Sequence, residues 1–172
     1  MTPQDLAPLV RAVPDFPKPG ILFRDITPLL ADGRAFSSLI GHLVERIRPL
    51  RPSRIVGIES RGFLFGTPVA RELGIGFAPV RKPGKLPWRK RRLDYSLEYG
   101  TDALELHEDA VAGERVVIVD DLLATGGTAR AAGQLCQSLD GQVVGFAFVI
   151  ELAALEGRKQ LEGAEVVSLL QY

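Results

Sequence analysis

Apolar and polar residues follow one another along the chain in blocks whose lengths predict strands and helices in turn. Apolar side chains recur at helical spacing from Phe36 to Ile47, which predicts an amphipathic helix that ends near Arg48. Short apolar runs predict strands at 54–58, 76–80, 116–119, 143–150 and 166–169, and the blocks between them predict helices at 63–73, 128–139 and 153–161. This alternation is typical of an α/β fold with a mostly parallel twisted sheet flanked by helices.

Other stretches lack a clear helical or apolar period. Thr2 is expected to cap a first short helix, with Asp5 completing a capping box. Residues 13–28 are rich in proline and glycine, and we expect them to interrupt regular structure. Residues 82–94 are basic and contain prolines, which predicts a mobile loop, and the chain on either side is expected to be extended and hairpin-like. Without repeats or a linker, residues 1–172 are interpreted as one domain.

The segment 116–128 joins an apolar run to a glycine-rich turn and a helix. The run VVIV predicts a strand that is buried on both faces, as in a parallel sheet. Asp120 and Asp121 follow it directly, and the carboxyl ends of strands are where open α/β sheets bind ligands. The sequence therefore predicts a ligand site at this edge of the sheet.

The turn after the two aspartates has the chemistry of a phosphate site. Gly126 and Gly127 allow the backbone to approach an anion closely, and Thr125 and Thr128 add hydroxyl donors. The first amides of the next helix complete an anion site, while the aspartates can accept hydrogen bonds from ribose hydroxyls. No lysine follows the glycines, which argues against a Walker A motif. These residues alone leave two interpretations, a ribose 5-phosphate site or an ordinary turn with two solvated acids.

Segment 116–128 resembles the phosphoribosyl pyrophosphate (PRPP) signature of type I phosphoribosyltransferases. Five other segments are similar to those of the adenine-using members of that family: FPKPGILFRDITP at 16–28, ESRGFLFG at 59–66, RKPGKLP at 81–87, YSLEYG at 95–100 and SLLQY at 168–172. A single PRPP loop is shared by many enzymes, whereas the five other segments together are specific to the adenine-using members. The resemblance implies transfer of the phosphoribosyl group from PRPP to N9 of adenine, which gives AMP and pyrophosphate.

The resemblance also implies roles for individual residues. The 5-phosphate and ribose would be bound by Asp120, Asp121, Ala124, Thr125, Gly126, Gly127 and Thr128. Pyrophosphate would be bound by Ser60, Arg61, Arg81, Lys82 and Lys85, and adenine by Leu22, Phe23 and Arg24. Mg²⁺ would be held mainly by PRPP, with the two aspartates at most in its outer shell, and a cis peptide is expected between Glu59 and Ser60.

For the base and the lid, a simpler interpretation stays open. Phe23 would stack on the purine, yet the residues alone are equally consistent with a hydrophobic plug. Glu98 would exchange a proton near N7 of adenine and Tyr99 would help close the pocket, in a lid formed by 82–99. Without the resemblance, Glu98 is simply an exposed acid. The resemblance further implies a small hood at about 1–30 and a homodimer in which Arg81 reaches the neighbouring site.

Composition excludes several other classes. The 21 basic residues balance the 21 acidic ones, so no overall field attracts nucleic acid or membranes. The single cysteine, Cys136, cannot form an intramolecular disulfide and is expected to be a small core residue. His42 and His107 match no metal-site spacing. The chain shows no signal peptide pattern and no apolar run long enough for a membrane span, so a cytoplasmic location is expected.

Two alternative functions are also compatible with the sequence. The same fold can serve a regulator that senses PRPP or nucleotides without turnover, although such proteins usually carry an additional DNA-binding domain. The base could also be a 6-oxopurine. One segment departs from the family pattern, the basic run WRKRR at 88–92, for which the favoured interpretation is a solvated lid and the alternative is an acidic partner such as RNA.

Overall fold

The computed structural model describes residues 1–96 and 100–172, and the chain divides into two compact units at His42 and Leu43. In the first unit, α1 (Pro3–Leu6) begins with the predicted capping box, in which the Thr2 backbone N–H donates to Asp5 at 2.8 Å. A 3₁₀ turn at Ala7–Leu9 follows. Next come an antiparallel hairpin of β1 (Arg11–Pro14) and β2 (Leu22–Asp25), and then α2 (Thr27–Ala31). The helix α3 (Gly33–Ile47) closes the unit and continues beyond it.

The second unit is built on a parallel sheet of five strands. Their order is β4 (Gly76–Val80), β3 (Arg54–Ile58), β7 (Arg115–Leu123), β8 (Gln142–Glu151) and β9 (Glu165–Gln171). Two helices, α4 (Arg61–Leu73) and α5 (Gly127–Gln137), join these strands, and β5 (Lys90–Ser96) pairs antiparallel with β6 (Thr101–His107). Short 3₁₀ turns occupy Arg48–Leu50, Ala153–Leu155 and Gly157–Gln160. The predicted α/β class and parallel sheet are confirmed.

Side chains of β3 show why both faces of the sheet are buried. Val56 and Ile58 belong to the apolar cluster that also contains the buried face of α5. Gly57 faces the other way, where a Cβ atom would lie 2.7 Å from the Phe77 ring and 3.2 Å from Phe63 of α4. Successive side chains on a strand point to opposite faces, so apolar residues cover both faces of the sheet at β3. Side chains that bind a ligand are therefore expected at the carboxyl edge of the sheet, where the strands end.

Three predictions of local structure are wrong. Residues 13–28 include strand β2 and the end of β1, and residues 90–94 lie in β5 and not in a loop. The predicted helix at 153–161 is two short 3₁₀ turns, because Glu156 adopts a left-handed φ of 53° between them. The basic run is also less free than expected, since Lys90 pairs with the buried carboxylate of Glu105 at 3.1 Å.

Two other expectations can be compared with the described residues. Cys136 is fully buried in α5, and burial raises the pKa of its thiol to about 12, so it is confirmed as an unreactive core residue. No helix in the described part of the chain is long and apolar enough to cross a membrane. The hood over the sheet remains a prediction, as does the treatment of residues 1–172 as one domain.

Candidate active site

The predicted strand, turn and helix at 116–128 are present and form one wall of a cavity of about 260 Å³. Strand β7 is longer than predicted and extends through both aspartates to Leu123. The turn reverses at Gly126, whose φ of 86° favours glycine, and α5 starts at the next residue. The first free amides of α5 therefore face the cavity end of the turn, as an anion site requires.

The cavity brings together residues that are far apart in the sequence. It is lined by Ile58, Glu59, Arg61, Lys82, Asp120, Asp121, Leu122, Leu123, Ala124, Thr125, Gly126, Gly127, Thr128 and Ala129. All seven residues predicted for the 5-phosphate and ribose are in this set, together with two of the predicted pyrophosphate residues. Cations from α4 and from the end of β4 thus face the carboxylates and amides of β7 and α5 across one volume.

Asp121 is the buried centre of this arrangement. Its side chain is paired with Arg61, with 3.0 Å between Oδ2 and Nε. Burial raises the pKa of the Asp121 carboxyl, and the Arg61 charge opposes that rise. Asp120 is half-buried, and burial together with the charge of Asp121 raises its pKa well above the ordinary value of 3.8. Two adjacent carboxyls that share one cation are thus held in a site that disfavours a second negative charge.

Glu59 organises the remaining pyrophosphate candidates. It accepts hydrogen bonds from Nε of Arg81 at 3.2 Å and from the backbone N–H of Lys82 at 2.8 Å, and its other oxygen accepts from Nζ of Lys85. Burial favours the neutral form of Glu59, but these donors outweigh it and lower the pKa of the carboxyl. The sequence did not reveal this role, although the position of Glu59 at the end of β3, beside the predicted cations, was a signal.

A second set of side chains, which the sequence did not reveal, connects β5 and β6 to the glycine-rich turn at 124–128. The Tyr95 hydroxyl lies 3.1 Å from the Thr128 hydroxyl and 3.3 Å from a carboxylate oxygen of Asp102, which also accepts from Nζ of Lys82. Burial alone would lower the pKa of Lys82, but the Asp102 carboxylate and the Tyr95 hydroxyl raise it. Lys82, which lines the cavity, is therefore held charged by side chains of β5 and β6, the strands of the hairpin that the sequence predicted in outline.

The other predicted residues lie elsewhere. Ser60 precedes α4, and the predicted cis peptide between Glu59 and Ser60 is confirmed. The three predicted adenine residues lie on β2 in the first unit, where the Phe23 ring packs edge-on against Phe16 with 5.2 Å between centroids. Glu98 and Tyr99 lie outside the described residues.

The carboxylate oxygens at the cavity are compatible with Mg²⁺ as an ion that arrives with a phosphorylated substrate. Within residues 1–96 and 100–172, no group of three or more His, Cys, Asp or Glu side chains could enclose a metal. Asp120 and Asp121 supply oxygens at the cavity, which suits a hydrated ion that keeps its waters and takes few protein ligands. The two aspartates could thus orient waters around an ion chelated by phosphate oxygens.

Asp120→Asn is expected to stabilise the protein near neutral pH. Because the folded-state pKa of Asp120 is raised above its unfolded value, the contribution of this carboxyl to stability falls as the pH rises from about 4 through the folded pKa. The amide has no charge to bury and still accepts the Asp121 N–H at Oδ1, a 2.9 Å bond in the wild type. We expect a gain in the free energy of unfolding of about 0.5–2 kcal/mol at pH 8.

Thermal unfolding of wild type and Asp120→Asn between pH 4 and pH 8 checks this expectation. The difference in Tm should be small at pH 4 and grow toward pH 8. A variant that is less stable at every pH would contradict the raised pKa of Asp120. The same variant should impair the function of the cavity, since stability and function compete at this carboxyl.

Comparison with known proteins identifies the class to which this chain belongs. A family model described as "Phosphoribosyl transferase domain" matches residues 30–169. The chain therefore belongs to the phosphoribosyltransferase family, with the type I fold of a five-stranded parallel sheet flanked by helices.

Individual relatives narrow the class. An adenine phosphoribosyltransferase of Synechococcus is 56% identical over 169 residues, which cover 98% of this chain and 99% of the relative. The crystal structure of the adenine phosphoribosyltransferase of Thermoanaerobacter pseudethanolicus superimposes with a TM-score of 0.96 at 50% identity and covers 99% of this chain and 100% of that one. The enzyme of Saccharomyces cerevisiae, solved with adenine and an imino-altritol bisphosphate, gives a TM-score of 0.90 at 44% identity, with 97% of each chain covered. Within the family, this chain is one of the adenine phosphoribosyltransferases.

Proposed function

We propose that this protein transfers the 5-phosphoribosyl group from PRPP to N9 of adenine and releases pyrophosphate. The bond from C1′ to the pyrophosphate oxygen breaks, the bond from C1′ to N9 forms, and the N9 proton leaves. The observation that carries the proposal is the cavity, in which a glycine-rich turn, three carboxylates and two cations face one volume. The yeast relative contains adenine in its structure, which supports the choice of base.

The turn provides the 5-phosphate with donors that are already in place. Amides at the start of α5, the hydroxyls of Thr125 and Thr128 and the positive end of the helix dipole favour a dianion there. The Tyr95 hydroxyl forms a hydrogen bond with the Thr128 hydroxyl at 3.1 Å. Asp120 and Asp121 lie beside the turn and would accept hydrogen bonds from the ribose hydroxyls. Such a preorganised site lowers the entropic cost of orienting C1′.

The leaving pyrophosphate meets cations that protein carboxylates now hold. Arg61 is paired with Asp121, Lys82 with Asp102, and Arg81 and Lys85 with Glu59. Pyrophosphate oxygens would compete for the same donors, with the Ser60 backbone turn contributing at the same edge. These pairs hold the cations in position before the substrate arrives. Mg²⁺, when bound with PRPP, neutralises phosphate charge and makes pyrophosphate a better leaving group.

The base and the lid have proposed residues of their own. Phe23 would stack on adenine, and Leu22 and Arg24 would read its edge through backbone groups. The lid predicted at 82–99, of which 90–94 belong to β5, would exclude water, with Glu98 near N7 and Tyr99 closing the pocket. We further propose a cytoplasmic homodimer in which Arg81 reaches the neighbouring site. Light scattering measures the mass of the protein in solution and so tests dimerisation. Mixing an Arg81→Ala variant with an inactive partner tests whether Arg81 acts in the neighbouring site.

Pyrophosphate release with four bases tests the function. Wild-type protein, PRPP and Mg²⁺ should turn over with adenine, while hypoxanthine, guanine and xanthine should give at most about 1% of that kcat/KM. A site that hydrogen-bonds a 6-amino group leaves buried groups unpaired when the substrate offers a 6-oxo group, which explains a factor of this size. Turnover with a 6-oxopurine would show that the proposed base specificity is wrong. Binding of PRPP without any turnover would favour a regulator that senses PRPP.

A further inference from the structure

The turn that binds the 5-phosphate rests on a second backbone segment that lies outside the cavity. A Cβ atom at Gly126 would lie 2.5 Å from the carbonyl oxygen of Gly157 and 3.0 Å from Cβ of Gln160. A Cβ atom at Gly157 would in turn overlap the Ala124 carbonyl oxygen and lie 3.0 Å from Leu123. The two backbones are therefore in direct contact at Ala124 and Gly126.

The contact explains why residue 157 is glycine. Gly157 does not have the positive φ that favours glycine, unlike Gly126 at 86°. Space is what excludes a side chain at Gly157, because the Ala124 carbonyl and Leu123 fill the position. A backbone oxygen cannot rotate away as a flexible side chain can. Any group added at Gly157 must therefore move the phosphate-binding turn or the segment beneath it.

Arg158 fixes that segment to the sheet. Its Nε and Nη2 donate to the two oxygens of Glu151 at 2.6 and 2.7 Å, and Nη2 also donates to Ser168 at 2.9 Å. Nη1 donates to the carbonyl of Val166 at 2.7 Å. Glu151 ends β8, is 4% exposed, and also accepts from the Ser168 hydroxyl at 2.5 Å. A bidentate pair of this kind fixes both the position and the plane of the guanidinium group.

We infer that Gly157 and Arg158 are positioning residues for the 5-phosphate site: the Arg158–Glu151 pair holds the 157–160 turn, and the Gly157 backbone holds Ala124 and Gly126 in the geometry that binds a phosphate. Neither residue lines the cavity. The inference rests on the proposed function of the turn. It predicts that their substitution weakens binding of any 5-phosphate while leaving the binding of inorganic pyrophosphate nearly unchanged, because the cations belong to α4 and to the β4 end.

Calorimetric titration with ribose 5-phosphate and, separately, with inorganic pyrophosphate and Mg²⁺ tests the inference. Gly157→Ala should raise the Kd for ribose 5-phosphate about tenfold or more, the effect of losing one hydrogen bond to a charged group. Arg158→Lys, which keeps the charge but loses the fork, should raise it about three- to tenfold, and Arg158→Met more. The Kd for pyrophosphate should change less than twofold. In the double variant of Gly157→Ala and Arg158→Lys, the increase in the Kd for ribose 5-phosphate should be smaller than the product of the two single increases. Both changes displace the same turn, so their effects are not independent.

Two matched controls separate positioning from general loss of stability. Arg54→Lys weakens another pair of an arginine with a glutamate, with 2.8 Å between Nη2 and Glu114, at the opposite end of the sheet. Gly145→Ala inserts a Cβ atom 2.5 Å from Leu50, away from the turn. Both should lower Tm without changing the Kd for ribose 5-phosphate. Arg158→Lys adds no atom at the contact, so it decides the question even where Gly157→Ala fails to fold.

The outcomes distinguish this inference from the proposed function. Wild-type protein that binds ribose 5-phosphate, with Arg158→Lys and Arg158→Met binding it equally well, would overturn the positioning role alone. Parallel losses for ribose 5-phosphate and pyrophosphate in the Arg158 variants would also overturn it, since the damage would then be general. Wild-type protein that does not bind ribose 5-phosphate would overturn the proposed function and this inference with it.

Discussion

Replacing Glu98 with alanine is expected to lower kcat for AMP formation by about 10²–10⁴-fold, the usual contribution of a positioned acid or base. N9 of adenine becomes bonded to carbon as its proton leaves, so charge develops on the purine ring during transfer. A carboxyl that exchanges a proton near N7 would compensate that charge. The KM for PRPP should change little, because the cations and the phosphate turn remain intact.

Initial rates of pyrophosphate release and their pH profile measure this effect. Glu98→Gln keeps the size of the side chain but cannot take up a proton, so it should behave like the alanine variant and lose one limb of the profile. Glu108→Ala is the matched control, since it removes an exposed carboxylate just beyond β6 and the same unit of charge. A Glu98→Ala enzyme with kcat within threefold of wild type would contradict the assigned role.

Replacing Arg61 with alanine is expected to lower kcat/KM for PRPP by about 10- to 150-fold. Each hydrogen bond between charged groups contributes about 1.5–3 kcal/mol, and Arg61 is proposed to donate to pyrophosphate. The same substitution leaves the buried Asp121 without its partner at 3.0 Å, so the pKa of Asp121 should rise further and the carboxyl should become protonated more readily. The lost contact to pyrophosphate and the changed protonation of Asp121 both act on the transfer of the phosphoribosyl group.

Arg71→Ala provides the comparison for this second variant. Arg71 lies on the same helix, its side chain is 82% exposed, and it forms an ion pair with its chain neighbour Glu72. Its replacement should change kcat/KM by less than twofold, because exposed pairs contribute little. If Arg61→Ala lowers Tm but leaves the PRPP dependence of the rate unchanged, Arg61 is only a structural partner of Asp121, and the proposed pyrophosphate contact is wrong.

The wrong predictions of local structure share a physical cause. Strand β5 carries polar side chains on most of its length, so no period of two marks it, and it exists because β6 pairs with it from Lys90 to Ser96. The hairpin of β1 and β2 encloses a proline- and glycine-rich turn that looked irregular. The segment 153–161 has helix-forming composition, but Glu156 adopts a left-handed conformation within it. In each case a long-range contact or one backbone angle outweighed local propensity.

The α/β class and the glycine-rich turn could be predicted from the sequence. The class follows from apolar and helical blocks that alternate along the chain, and the turn from residues that are adjacent in it. The apolar run, the two aspartates and the glycines at 116–128 specify strand, carboxylates and helix start in a single segment. The resemblance to a known family followed from six such segments, each recognisable without knowing the others.

Which charged side chains meet depends on how distant elements pack together. Lys82 and Asp102 are 20 residues apart, Tyr95 and Thr128 are 33 apart, and no local pattern indicates either contact. Strand register pairs only Tyr95 with Asp102, whereas Lys82 and Thr128 reach them from other elements. Arg158 likewise meets Glu151 from a turn outside the strands. Buried polar groups must find partners, yet the sequence does not say which ones, since that choice depends on strand order and on the space between elements. The residues that hold the site in shape were therefore visible only after folding.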